Sequence, residues 1–229
     1  MTAPDVTLAD RTLTRADLQP FGGRRVQLSG STLDGVDLRG IDLSGWVFER
    51  VSLAETELSG ANLELARFSH CRGARAQFAA ADCTEAVFAD CDLNNGSFHG
   101  ATLSSARFER CKLTGVDFTD GRTLGIRFID TLLVAARLKG MNFRKDALVG
   151  VDFSMADLSK CDFRDASFER CSLREAIIDG AQFQNTDLRG ADLGGLALLQ
   201  ERTRFRGAVI SAAQAELLLA DVGLKVKAR

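Results

Sequence analysis

With 229 residues, 26% of them charged and 45% hydrophobic, the chain reads as one soluble domain or one continuous repeat array. A net charge of −2 gives no bulk electrostatic case for binding nucleic acid or a membrane surface. No apolar run approaches the roughly 18 residues that a membrane span needs. Met1–Asp10 lacks the cationic-then-apolar pattern of a signal peptide, so the expected location is cytoplasmic.

From Leu8 onward the chain repeats every five residues. Of the 39 positions spaced by five between Leu8 and Leu198, 34 are Leu or Phe; the exceptions are Gly23, Gly73, Cys83, Thr123 and Ile178. Two residues earlier in each unit, 31 of 39 positions hold Ala, Cys, Val, Thr, Ser or Gly, and no insertion breaks the register. A period of five fits neither a helix nor a single strand. It fits a chain that makes a short extended run, turns and repeats, with one large and one small side chain pointing inward per unit. The other three positions face water, which is where Asp, Arg, Ser, Glu and Gly collect.

In chain order, residues 1–25 form an N-terminal coil that ends in Gln19-Pro20-Phe21-Gly22-Gly23-Arg24-Arg25, read as a bulge or short loop. Residues 26–198 form the main array. Large or charged residues in small inward slots (Arg11, Phe21, Trp46, Asp146) mark distortion. Gly121-Arg122-Thr123 and Arg144-Lys145-Asp146 are weak units, either functional irregularities or tolerated defects. After Leu198 the period slips by two, placing Phe205 and Ile210 inward. Ser211-Ala212-Ala213-Gln214 then predicts a capping box that opens a helix through Leu217, Leu218 and Leu219, which Gly223 ends. Leu224-Lys225-Val226 is expected to be a closing strand. The segment 199–229 is therefore a cap that covers the open edge of the last coil.

Ala61-Asn62-Leu63, Ala156-Asp157-Leu158 and Ala191-Asp192-Leu193 resemble the A-(D/N)-L-x-x signature of the pentapeptide-repeat family. The resemblance implies an all-β solenoid: a right-handed quadrilateral β-helix with twenty residues per coil and a short C-terminal capping helix. At the usual strand spacing the rod would be about 47 Å long. Twenty-residue coils would stack Phe48, Phe68, Phe88, Phe108 and Phe128 in one internal column. Cys71, Cys91 and Cys111 would form a second column, as buried small hydrophobes and not as disulfides or metal ligands. Cys161 and Cys171 also occupy small slots. No cofactor is implied.

The ending Gln214-Ala215, Leu217-Leu218, Gly223-Leu224 and Val226 resembles the tail of the Qnr-type quinolone-resistance pentapeptide proteins, as does the central triplet Leu124-Gly125-Ile126. Those relatives dimerise through their C-terminal ends, resemble duplex DNA and protect the type II topoisomerases DNA gyrase and topoisomerase IV from drugs that trap cleaved DNA. Many carry two projecting loops. The unbroken register leaves no room for either here, so the resemblance is to loopless members.

Two surfaces are candidates for a partner. Asp17, Asp37, Glu57, Asp117 and Asp157 share one face just before the large inward residue, interrupted by Arg137. They form either a substitute for a phosphate row or the repeat's own turn chemistry. Leu124, Ile129, Leu132, Val134 and Val149 occupy outward slots within two coils, a grouping that marks a contact surface. Dimerisation is expected through Ile177, Leu196, Leu199, Leu217, Leu218 and Leu219. His70 and His99 both fall at outward positions while the cysteines, five of the six in small inward slots, point into the rod, so no nucleophile–histidine pair is expected and no enzyme activity.

Overall fold

The computed structural model describes residues 4–196, 203–221 and 223–225. The chain is a right-handed quadrilateral β-helix whose first side is a nine-stranded parallel sheet. Its strands are β1 (Val6–Ala9), β2 (Val26–Ser29), β3 (Val47–Glu49), β4 (Arg67–Ser69), β5 (Val87–Ala89), β6 (Arg107–Glu109), β7 (Arg127–Ile129), β8 (Ala147–Val149) and β9 (Ser167–Glu169). Every registered pair is offset by twenty residues, as in Val47↔Arg67. Single bridges repeat that offset on the other three sides, as in Thr32↔Ser52, Asp37↔Glu57 and Asp42↔Asn62. A short two-stranded ladder, β10 (Cys171–Ser172) with β11 (Ala191–Asp192), continues the second side.

Most corners on the other three sides are turns closed by the amide three residues after the large inward residue, as in Val36 N–H to Leu33 O at 3.0 Å. The last residue of most units sits at positive φ. Gly40 (65°) takes this conformation freely, whereas Leu65 (59°) and Arg75 (61°) carry backbone strain of roughly 1 kcal/mol each. Inter-coil hydrogen bonds and the buried core outweigh that strain.

The core is built from the two inward positions. Phe48, Phe68, Phe88, Phe108 and Phe128 stack as expected, with centroid separations of 4.4, 4.6, 4.7 and 5.4 Å. A second column, Phe78–Phe98–Phe118, meets the first edge-on. A third, Phe143–Phe163–Phe183, carries across the slip to Phe205, 4.9 Å beyond Phe183. The slip itself appears as Asp187↔Val209, an offset of twenty-two. All six cysteines are buried and free.

The small slots hold thiols and hydroxyls for a reason: they donate to the carbonyl of the large residue in the preceding coil. Cys71 reaches Phe48 O at 3.4 Å, Cys111 reaches Phe88 O at 3.3 Å, Thr131 reaches Phe108 O at 3.1 Å and Thr186 reaches Phe163 O at 2.7 Å. In the middle of the thiol column, Cys91 is pushed up by its neighbours Cys111 and Cys71 together with burial.

The irregular sites resolve differently. Gln19–Phe21 is no bulge but a 3₁₀ turn that follows a four-residue helix, α1 (Arg15–Leu18). Thr14 starts the helix, its backbone N–H and Oγ both donating to the Asp17 carboxylate at 2.8 and 2.6 Å. β1 still pairs with β2 over four residues, so the first coil stays in register. Trp46 does not distort the rod: its ring is fully buried and Arg67 N–H reaches Trp46 O at 2.8 Å. At Gly73 the space of the missing large side chain is filled by Leu93 and Leu53, which a Cβ there would meet at 2.8 and 3.3 Å.

The two weak units lie in successive coils, three residues out of line with each other, and there the ladder opens. β7 and β8 register through Ile129↔Val149 alone, whereas β6–β7 and β8–β9 each register over three residues. The amides of Arg107, Arg127 and Ser167 donate to carbonyls twenty-one residues back. Among the described residues, Ala147 makes no such bond to Ile126. On the adjoining side Thr102↔Arg122 and Asn142↔Asp162 pair, but Arg122 and Asn142 do not. We attribute the separation to Met141, opposite Gly121 in the preceding coil, and to the carboxylate of Asp146 in a slot that Ile126 and Ala166 fill on either side.

The C-terminal helix α2 (Ala212–Asp221) follows the predicted capping box. Ser211 N–H donates to Gln214 Oε1 at 2.7 Å, and Gln214 N–H to Ser211 Oγ at 3.2 Å. Gly223, at φ 84°, ends it with Gly223 N–H on Ala220 O and Leu224 N–H on Leu219 O, both at 2.9 Å. Leu224 is therefore tied to the helix end, and neither it nor Lys225 is in a strand; Val226 lies outside the described residues.

Candidate partner-binding surface

The acidic row lies on the third side, and four of its five members have a local role. Asp37, Asp117 and Asp157 each accept the backbone N–H two residues on, at 3.0, 2.9 and 2.9 Å. The same bond recurs on other sides, as at Asp82 and Asp152, so it belongs to the repeat's turn. Asp17 instead caps α1, and its carboxyl is held below the usual range by the Thr14 hydroxyl and amide. Arg39 forks onto Asp37 at 2.9 and 2.6 Å and drives its carboxyl far below the ordinary value. Arg137 reaches Asp117 at 2.7 Å. Among the described residues Glu57 alone in the row makes neither an ion pair nor a side-chain hydrogen bond.

The apolar residues are close in sequence but bend around two corners. Leu124, 82% exposed, is on the fourth side. Past the corner at Gly125 come Ile129 and Val149, directly paired and half-buried. Past the corner at Asp130 come Leu132, 41% exposed, and half-buried Val134. The surface is thus a band around three sides of the rod, with the opened β7–β8 junction at its centre. That opening was not foreseen; its sequence signal was the pair of weak units in successive coils, Gly121-Arg122-Thr123 and Arg144-Lys145-Asp146.

At the C-terminal end, Ile177 and Leu217 are exposed, Leu218 and Leu219 half-buried. Leu196 is a correction: at 7% exposure it completes the core of its coil and has little surface to offer a second copy. Leu199 lies outside the described residues. Gln214, read only as a capping residue, also ties the helix to the rod. Its Nε2 donates to Leu188 O at 2.8 Å and Ala191 O at 2.6 Å.

His70 and His99 are exposed; His99 Nδ1 is 3.0 Å from Thr119 Oγ1. No described helix is long and apolar enough to cross a membrane.

The family model for a pentapeptide repeat region matches residues 41–118 and 62–138. The model for pentapeptide repeats in eight copies matches 125–165 and 156–195. Among solved structures, a trypsin-treated variant of QnrB1, a plasmid-mediated fluoroquinolone resistance protein, superposes with a TM-score of 0.60. It is 19% identical, and the match covers 97% of this chain and 98% of that one. Full-length QnrB1 gives 0.57 at 20% identity, over 96% and 98% of the two chains. HetL, a pentapeptide repeat protein involved in heterocyst differentiation regulation from the cyanobacterium Nostoc, gives 0.46 at 24% identity over 81% and 86%. At these identities the likeness is one of fold. No curated protein sequence matches the chain.

Proposed function

The chain belongs to the pentapeptide-repeat family, and from that premise we propose that it is a non-enzymatic, DNA-mimicking binding protein of the cytoplasm that engages a type II topoisomerase. DNA gyrase or topoisomerase IV is the partner, and the protein modulates it or protects it from poisons. The observation that carries this reading is the end-to-end correspondence in fold with QnrB1, a fluoroquinolone resistance protein, over 97% of this chain and 98% of that one. The short tail and Leu124-Gly125-Ile126 resemblances point the same way.

In this reading residues 26–198 are the contact rod, and the band Leu124, Ile129, Leu132, Val134 and Val149 makes the closest contacts. The row Asp17, Asp37, Glu57, Asp117 and Asp157 steers the encounter. Residues 199–229 cap the rod and join two copies through Ile177 and Leu217 to Leu219. The rod takes no cofactor, binds no nucleic acid directly and carries out no reaction. The outward histidines and buried cysteines support this, since among the described residues the thiols are packed in the core while both imidazoles are exposed.

A second reading, a scaffold for a protein unrelated to DNA, draws support from the ion pairs Asp37–Arg39 and Asp117–Arg137, which neutralise part of the acidic row within the chain. A gyrase supercoiling assay, with and without a fluoroquinolone and a natural-product poison, separates the two. Topoisomerase engagement predicts that the protein changes supercoiling or relieves poisoning in proportion to its concentration. A scaffold predicts no change under any of these conditions.

A further inference from the structure

The opened junction between β7 and β8 encloses a cleft of about 260 Å³ lined by Ile126, Phe128, Phe143, Asp146, Leu148 and Val149. Its walls are core residues: Phe128, Phe143 and Leu148 are at most 3% exposed. Into this apolar recess projects one carboxylate, Asp146, in an inward slot that the neighbouring coils fill with Ile126 and Ala166. Among the described residues the Asp146 carboxylate accepts no hydrogen bond and forms no ion pair, while its backbone carbonyl takes the Ser167 N–H at 3.0 Å. Arg127, also lining the cleft, forms no ion pair with it. Burial raises the Asp146 carboxyl and the charge of Arg127 only partly opposes this. A half-buried, unpartnered carboxylate among phenyl and aliphatic side chains is the complement of a cation carried on an apolar body.

We propose that this cleft is a binding site for a small organic cation, an ammonium or amidinium group on an aromatic ring or short aliphatic frame. The ring lies between Phe128, Phe143 and Leu148, and the cationic nitrogen donates to the Asp146 carboxylate. Size supports this class: apolar cavities of about 150 Å³ already admit benzene, and the additional space here takes an arm ending in ammonium. The open ladder also supplies an entrance, since the missing Ala147–Ile126 bond parts the coils at the surface.

The test uses the full chain and three probes of one shape: 2-phenylethylammonium, neutral 2-phenylethanol and anionic phenylacetate. Binding is followed by saturation-transfer NMR and titration of the protein's methyl resonances. The expected result is a dissociation constant on the order of 1 mM for the cation, at least about tenfold weaker binding of the alcohol and none of phenylacetate. Shifts should be confined to Ile126, Ile129, Leu148 and Val149. Asp146→Asn, isosteric and checked for folding by circular dichroism, should weaken the cation at least about tenfold while leaving the alcohol unchanged. Asp120→Asn, a surface carboxylate one coil away, should have no effect. Equal binding of cation and alcohol, unchanged binding by Asp146→Asn, shifts elsewhere on the rod, or no binding up to about 20 mM would overturn the proposal.

Discussion

Replacing Gln214 with alanine removes three hydrogen bonds at once: its Nε2 to Leu188 O (2.8 Å) and Ala191 O (2.6 Å), and its Oε1 from Ser211 N–H (2.7 Å). At roughly 0.5–1.5 kcal/mol net for each bond, and more where a part-buried carbonyl is left unpaired, the loss is about 2–4 kcal/mol. α2 has ten residues, too few to persist in water without its docking contacts, so the cap should detach as a unit. Native-state hydrogen exchange reads this directly. Amide protection across α2 should fall about thirtyfold or more, while the amides of β3–β6 remain protected. Gln214→Glu should do at least as much damage, since a carboxylate would face two carbonyl oxygens. Gln214→Met, equal in length, should not rescue. Protection of α2 within about twofold of the parent in Gln214→Ala would refute the claim that this amide holds the cap.

Phe88→Ala should cost about 3–5 kcal/mol in urea unfolding, because its ring is stacked at 4.6 and 4.7 Å on both sides and fully buried; a loss under about 1 kcal/mol would contradict the column's role. The six thiols should resist a disulfide reagent at pH 8 in the native state and react in urea, since all are buried and burial pushes Cys161 up to about 12. Cys91→Val should leave the melting temperature within about 4 °C, and bound zinc or a disulfide among Cys71, Cys91 and Cys111 would be an unexpected result. Asp90, Asp162 and Asp187 are held below the ordinary carboxylate value by Arg110, Arg164 and Arg189, so their contribution is present above pH ~4 and is lost as pH falls through their depressed values. Asp146 is raised, so the sign reverses: its contribution is favourable below its unfolded value and is lost as pH rises through the folded one. Asp146→Ala should therefore raise the melting temperature at pH 7, with the gain shrinking towards pH 3; an equal gain at both would point to packing instead of charge.

The period of five carried most of the fold, because each inward residue repeats at the same place and a twenty-residue coil turns sequence spacing into contact. Phe48 to Phe128 and the slip that brings Phe205 onto Phe183 were legible for that reason. What was missed lay where one residue answers two patterns. Asp17 fits the repeat's outward Asp position, yet beside Thr14 it caps a helix. Trp46 is too large for its slot by count, yet it is fully buried there, with its ring 6.2 Å from that of Phe48. The unit Arg144-Lys145-Asp146 was visibly weak, whereas its effect, the parting of β7 from β8, depends on Met141 and Asp146 acting on the same coil. Gln214 announced the helix start through its spacing from Ser211. Its two carbonyl partners are twenty-six and twenty-three residues back and follow only from the docked geometry.

Among partner contacts, each aliphatic side chain buried at an interface contributes roughly 1.5–3 kcal/mol, and an exposed ion pair typically under about 1 kcal/mol. The measurement that tests topoisomerase engagement most directly is equilibrium binding of gyrase to the parent protein, to Leu132→Asp, and to a variant neutralised at Asp17, Asp37, Glu57, Asp117 and Asp157, at low and at moderate salt. The account predicts saturable binding of the parent and its loss in Leu132→Asp with the rod still folded. It also predicts slower, more weakly salt-dependent association of the neutralised variant. No gyrase binding by the parent, or parent-like binding by both variants, would contradict it.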